Sequence, residues 1–157
     1  MPDHMTPDQR SRAMKAVKLK DGPLERMIQR ELRKIGLHFQ RNYKRLEGSP
    51  DIVFLKKKIA IFIDGDFWHG WRLPAWEHKL SEFWRSKLRA NRKRDQRNFR
   101  RLRWTGWHVI RIWQHQIETN LQGCLRRITQ NLRHDRARKA SGLAANQARK
   151  KGAKGTY

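Results

Sequence analysis

Residues 58–64, Lys-Ile-Ala-Ile-Phe-Ile-Asp, are an almost unbroken apolar run in a chain whose formal net charge is +24. The run is too short for a self-standing helix, and its β-branched residues suit extended backbone. A strand that is apolar at successive positions must be covered on both faces, so the run predicts the central strand of a layered sheet.

The pattern on either side supplies the covering elements. Leu24, Met27, Ile28, Leu32 and Ile35 recur at helical spacing over about 22–35, with Gly36 as the stop. Thr6-Pro7-Asp8-Gln9 reads as a capping box that opens a short basic helix to about Lys18. A short edge strand is expected at 38–43, and strands at 51–55 and 58–64 joined by a lysine turn at 56–57. Residues 65–79 read as a loop. A helix over 81–103 presents Phe83, Trp84, Leu88, Phe99 and Leu102 inward, a strand runs over 107–113 with Trp104, Trp107 and Trp113 in the core, and a helix over 117–132 closes the domain. The order predicts an α/β fold: one mixed sheet flanked by helices, with the last strand parallel to its neighbour.

Charge narrows the partners. With 38 Lys and Arg against 14 Asp and Glu, the folded state repels itself unless a polyanion neutralises it, and nucleic acid is the natural one. No run approaches the ~20 apolar residues that span a bilayer, and no apolar leader opens the chain, so a cytoplasmic, nucleoid-associated bacterial protein without membrane contact is expected. The single Cys124 rules out an internal disulfide and a multi-cysteine zinc cluster.

Against this background the acids at strand ends stand out. If strands 51–55 and 58–64 pair antiparallel about 56–57, Asp51 and Asp64 come together at one sheet edge, where two carboxylates need a cation between them. A hard cation such as Mg²⁺ suits these ligands and carries phosphodiester hydrolysis. His69, in the glycine-flanked loop that follows, is placed as general base, and Asp95 on the long helix as its orienting partner. Asp66 is either a further ligand or a cap of the loop. Phe67 and Trp68 are candidates to stack on bases or open a base step. The Arg/Lys run through 85–103, with Arg85, Lys87, Arg92 and Arg94, is the expected phosphate-contacting face.

Taken in order, MTPDQRSRAMKAV, LE, SPDIVF, IFIDGDFWHGW, FWRSKLRANRKRD and GWHVIRIW resemble the very short patch repair (Vsr) mismatch endonucleases, a branch of the PD-(D/E)XK restriction-endonuclease-like fold, over roughly residues 5–120. The resemblance implies a three-layer endonuclease core and a Mg²⁺-dependent enzyme, with Mn²⁺ able to substitute, that nicks one strand of double-stranded DNA beside a T:G mispair. It implies metal ligation by Asp51 and the Ile63 carbonyl, catalysis by His69 with Asp95, a supporting Glu25, and wedging by Phe67, Trp68 and Trp84. A DNA-embracing arm over 1–20, Met14 included, would precede the catalytic domain at 21–133 and a basic flexible tail at 134–157. A monomer is expected, with mismatch-repair proteins as partners. Asp66 and Trp71 replace family zinc ligands and Gln114-His115-Gln116 lacks the late cysteine, so no structural zinc is expected. Two alternatives remain: a homing or restriction-associated nuclease that needs no mismatch, and a non-catalytic nucleic-acid binder.

Overall fold

The computed structural model describes residues 22–152 together with Thr6, Asp8, Gln9 and Arg12; over 135–152 it describes the backbone alone. Thr6 and Gln9 form the expected capping box: the Gln9 N–H donates to Thr6 Oγ1 at 3.2 Å and the Thr6 N–H to Gln9 Oε1 at 2.8 Å. The rest of the expected arm, Met14 included, lies outside the described residues.

Helix α1 spans Pro23–Lys34, β1 Gln40–Arg41, β2 Ile52–Phe54, β3 Ile59–Asp64, helix α2 Leu73–Trp76, α3 Glu82–Trp104, β4 His108–Trp113 and α4 Gln114–Gly152. The strands form one sheet in the order β1-β2-β3-β4. The first two pairings are antiparallel and β3–β4 is parallel, as the pattern predicts. Every residue of β3 is buried, which is what its unbroken apolar run demands of a strand covered on both faces. On one face Ile59, Ile61, Ile63, Ile110 and Ile112 pack against Ile28 and Leu32 of α1 and Ile117, Leu125 and Ile128 of α4. On the other, Ala60, Phe62 and Val109 meet Phe99 and Leu102 of α3. The result is the three-layer α/β arrangement of a restriction-endonuclease-like core.

Local chemistry fixes the ends. A 3₁₀ turn at Leu55–Lys57 and a left-handed Lys58 join β2 to β3. Gly106, at φ +86°, ends α3: its N–H reaches Arg103 O at 3.0 Å and the Trp107 N–H reaches Leu102 O at 3.0 Å, a Schellman closure that turns the chain into β4.

Several expectations are corrected. The 65–79 segment is not all loop: Pro74 sits in the first turn of α2, where its missing N–H costs nothing, and a 3₁₀ turn follows at Glu77–Lys79. The closing helix starts at Gln114 rather than Ile117 and runs beyond Leu132 to Gly152 through sequence rich in Ala, Arg and Lys, residues of high helix propensity. It breaks at Asn120 (φ −152°, ψ 68°), whose Oδ1 accepts the Gly123 N–H at 2.9 Å and so caps the second segment. Trp104, expected in the core, is 89% exposed at the end of α3, and Phe83, expected inward, is 39% exposed. The buried stripe of α3 is Trp84, Leu88, Asp95, Phe99 and Leu102. An acid therefore occupies a core position.

Candidate active site

The chain leaves β3 at Asp64 and curls through residues 65–72. The His69 N–H donates to Gly65 O at 3.2 Å, the Gly70 N–H to Phe67 O at 3.1 Å and the Trp71 N–H to Asp66 O at 2.8 Å. Gly70 has φ +67°, and a Cβ there would lie 2.8 Å from Arg92 Cδ, so both backbone and space call for glycine. Neighbouring elements tether the curl. Asn91 Nδ2 of α3 donates to Trp68 O at 2.9 Å, and Trp76 Nε1 of α2 to Trp71 O at 2.7 Å. His115 Nδ1 of α4 lies 2.8 Å from Asp66 Oδ1, and the Trp71 ring packs on Trp113 and His115 at centroid distances of 4.9 and 4.7 Å. The two roles left open for Asp66 are thus weighed toward a tether. Its side chain joins the loop to α4.

The loop delivers His69 between two buried acids. His69 Nδ1 is 2.7 Å from Asp95 Oδ2, and Nε2 is 3.3 Å from Asp64 Oδ1. Arg111, which the parallel register sets beside Phe62, donates Nε to Asp64 Oδ2 at 2.6 Å and Nη2 to Asp95 Oδ2 at 3.0 Å. Arg94 Nη2 reaches Asp95 Oδ1 at 3.2 Å. Among the described residues, Asp64, His69 and Asp95 are a group whose ligand-type atoms lie within 4.8 Å of one another. Such a group can hold a metal ion.

Asp51 and Asp64 are not equally far along their strands. The register pairs Ile52 with Ile61, which sets Phe62 opposite Asp51 and Asp64 two residues further on the same face. Asp51 Oδ2 instead accepts the Ile63 N–H at 2.7 Å, bringing this carboxylate to the backbone of the residue before Asp64. Glu25 stands in the first turn of α1, its Oε2 curled back to within 2.6 Å of where a Gly22 Cβ would be. Neither Asp51 nor Glu25 belongs to the His69 group.

The aromatic expectation divides. Phe67 touches Trp68, Trp76 and Trp84 at centroid distances of 5.2, 5.9 and 5.7 Å, and Trp84 also meets Trp68 and Phe83. Phe67 is 39% exposed, whereas Trp84 is 5% exposed and lies beneath the others. Phe67 and Phe83 present the surface, and Trp84 supports it. The basic residues divide too. Arg85 is spent on α3's entry, donating to Glu77 O and Leu80 O, while Lys87 and Arg94 are exposed and Arg92 lies against Gly70.

The two acids titrate in opposite directions. Burial pushes the Asp64 carboxyl up, against the pull of His69 and Arg111. Burial also pushes on Asp95, but the His69 hydrogen bond and the charges of His69, Arg111 and Arg94 outweigh it and hold Asp95 below the usual carboxylate range. A depressed folded-state pKa gives stability that is present above the unfolded value and lost as pH falls through the folded one. Urea unfolding of wild type and Asp95→Asn should therefore show a gap at about pH 7 that narrows as pH falls below the usual carboxylate range. A gap of constant size across that range would show that Asp95 is not so held.

Arg111 is the site residue that the sequence reading missed. Its signal was an arginine alternating with buried Val109, Ile110 and Ile112 in a strand, where a cation needs buried partners.

The chain is similar to known proteins in the same region and beyond it. The profile described as DNA mismatch endonuclease Vsr matches residues 2–74. The type II nicking enzyme V.NmeDIP of Neisseria meningitidis serogroup C is 33% identical over 155 residues, covering 95% of this chain and 99% of its own length. V.HpaIIP of Haemophilus parainfluenzae, another type II nicking enzyme, is 37% identical over 75% of this chain and 86% of its own. The DNA mismatch endonuclease Vsr of Escherichia coli K12 is 34% identical over 67% of this chain and 69% of its own. With its three-layer core, its acid-flanked histidine and an identity of this extent, the chain belongs to the Vsr family of DNA mismatch endonucleases.

Proposed function

We propose that this protein nicks one strand of duplex DNA beside a T:G mispair, as a monomer, by divalent-cation-dependent hydrolysis of a phosphodiester. The observation that carries the chemistry is the 2.7 Å contact between His69 Nδ1 and Asp95 Oδ2 at the foot of an exposed aromatic edge. Asp95 fixes the ring through Nδ1, so that Nε2, 3.3 Å from Asp64 Oδ1, is the nitrogen that takes a proton from the attacking water. The imidazolium so formed lies between two carboxylates, Asp95 at Nδ1 and Asp64 at Nε2, which favours it and lowers the barrier to proton removal. Both Asp64 oxygens are engaged, one by His69 and one by Arg111. We therefore assign Asp64 to the histidine and not to the metal.

The oxygen donors suited to a hard cation are the Asp51 carboxylate and the Ile63 carbonyl, on residues already joined by the 2.7 Å hydrogen bond. Mg²⁺, with Mn²⁺ as substitute, fits that donor chemistry and would stabilise charge on the scissile phosphate. Phe67, backed by Trp68 and Trp84, is the proposed wedge at an easily opened base step, and Lys87, Arg92 and Arg94 the proposed phosphate contacts. Glu25 supports the cation side from α1.

A second reading rests on the names of the relatives: V.NmeDIP and V.HpaIIP are type II nicking enzymes. It keeps the residues and changes the target to one set by flanking sequence. Nicking of end-labelled duplexes carrying T:G, every other mispair, or no mispair, with Mg²⁺, Mn²⁺ or EDTA, separates the readings. One labelled strand should be cut in the T:G duplex only when a cation is present. Equal cutting of the matched duplex would move the assignment to the second reading, and no cation-dependent product on any duplex would end both.

A further inference from the structure

Arg111 enters the site from β4, a strand at the edge of the sheet, yet its guanidinium is turned onto the α3 face. There it spans two carboxylates: Nε on Asp64 at 2.6 Å and Nη2 on Asp95 at 3.0 Å. Aromatic rings close around it, with the Trp113 centroid 4.1 Å and the Phe99 centroid 5.0 Å from its Cζ. Those contacts hold the fork in place as well as adding cation–π attraction. Asp95 Oδ2 accepts from Arg111 and contacts His69 Nδ1 at once, so the guanidinium and the imidazole share an oxygen.

Two buried carboxylates and a histidine, with ligand-type atoms within 4.8 Å, are a constellation that invites a divalent ion. Here the positive charge is already supplied by the chain. We propose that Arg111 is the resident cation of this cluster: it occupies the place of a metal ion, pins Asp64 and Asp95 to the two nitrogens of His69, and so positions the imidazole before any divalent ion or DNA arrives. The inference rests on the nicking reading for its catalytic consequence but not for its binding consequence. The planar fork matters as much as the charge, because an ammonium cannot reach both acids in the same geometry.

The test uses the full chain as wild type, Arg111→Met, Arg111→Lys and the double variant Arg111→Met/Asp64→Asn. Equilibrium dialysis against Mn²⁺ needs no activity: Arg111→Met should take up an additional equivalent over wild type, while Arg111→Lys and the double variant should not. In steady-state nicking with Mg²⁺, Arg111→Met should lose about 100-fold in kcat, with KM for DNA changed by less than about threefold. Arg111→Lys should recover only part of the loss, since it restores charge without the fork. The double variant leaves one buried acid fewer uncompensated and keeps a folded protein in hand if the single variant collapses. Uptake of Mn²⁺ by Arg111→Met no greater than wild type, or wild-type kcat in either Arg111→Met or Arg111→Lys, overturns the proposal. If the wild type itself nicks nothing, the nicking reading falls, and the Mn²⁺ count still decides the place of Arg111.

Discussion

Replacing His69 by alanine should lower kcat for nicking by about 1,000-fold, the middle of the range for removing a general base, with little change in KM for duplex DNA. The ring is half-buried and makes its two polar contacts inside the cluster, to Asp95 and Asp64, so its loss removes the proposed proton transfer and leaves the aromatics and basic residues proposed to contact DNA untouched. Asp95→Asn should cost less, about 100-fold, because an amide still offers Nδ1 an acceptor but no longer balances an imidazolium. A kcat/KM series on one T:G duplex ranks the two. If Asp95→Asn proved as damaging as His69→Ala, the acid would be acting on the substrate itself, and if His69→Ala cut at the wild-type rate the assigned base would be wrong.

How far the sequence alone reached can be followed residue by residue. The apolar run at 58–64 and the two glycine-closed helices placed the sheet, its central strand and its covering layers, because burial on both faces leaves few alternatives to that arrangement. His69 and Asp95 were recognisable because a histidine in a glycine-flanked loop needs a partner, and Asp95 was the sole acid between Glu82 and Glu118. Their 2.7 Å contact makes that inference concrete. What failed was the finer geometry. Symmetry about the 56–57 turn set Asp51 and Asp64 level with each other, but the register offsets them by two residues; Asp51 accepts the Ile63 N–H and Asp64 accepts from Arg111. Arg111 itself was hidden by its setting, since a strand rich in isoleucine and tryptophan reads as core and the need for a counter-charge becomes visible only when two acids are known to be buried there. Adjacent aromatics also misled. Phe83 and Trp84 cannot both face inward from consecutive helical positions, and the stripe through Leu88, Asp95 and Phe99 selects Trp84.

The other large effect belongs to Asp51, and here the choice of substitution decides what is learned. Asp51→Ala removes two things at once: the carboxylate proposed to hold the cation, and the acceptor of the Ile63 N–H at 2.7 Å. Losing the acceptor alone costs about 1 kcal/mol of stability or more if the donor stays unsatisfied, and it would let the end of β3 shift, so a dead alanine variant would not separate chemistry from structure. Asp51→Asn keeps an oxygen for that N–H while giving up the negative charge. Its thermal unfolding should stay close to wild type, whereas kcat should fall by about 1,000-fold, or about 4 kcal/mol of lost charge stabilisation. Raising Mg²⁺ should restore little of it, because the amide is a poorer ligand for a hard cation and the neighbouring Asp64 is occupied by Arg111. Measured as nicking rate against Mg²⁺ concentration, the variant should show a flattened or strongly right-shifted curve. A wild-type Mg²⁺ midpoint in Asp51→Asn would place the cation elsewhere, and the group of Asp64, His69 and Asp95 would then have to hold it by displacing the guanidinium.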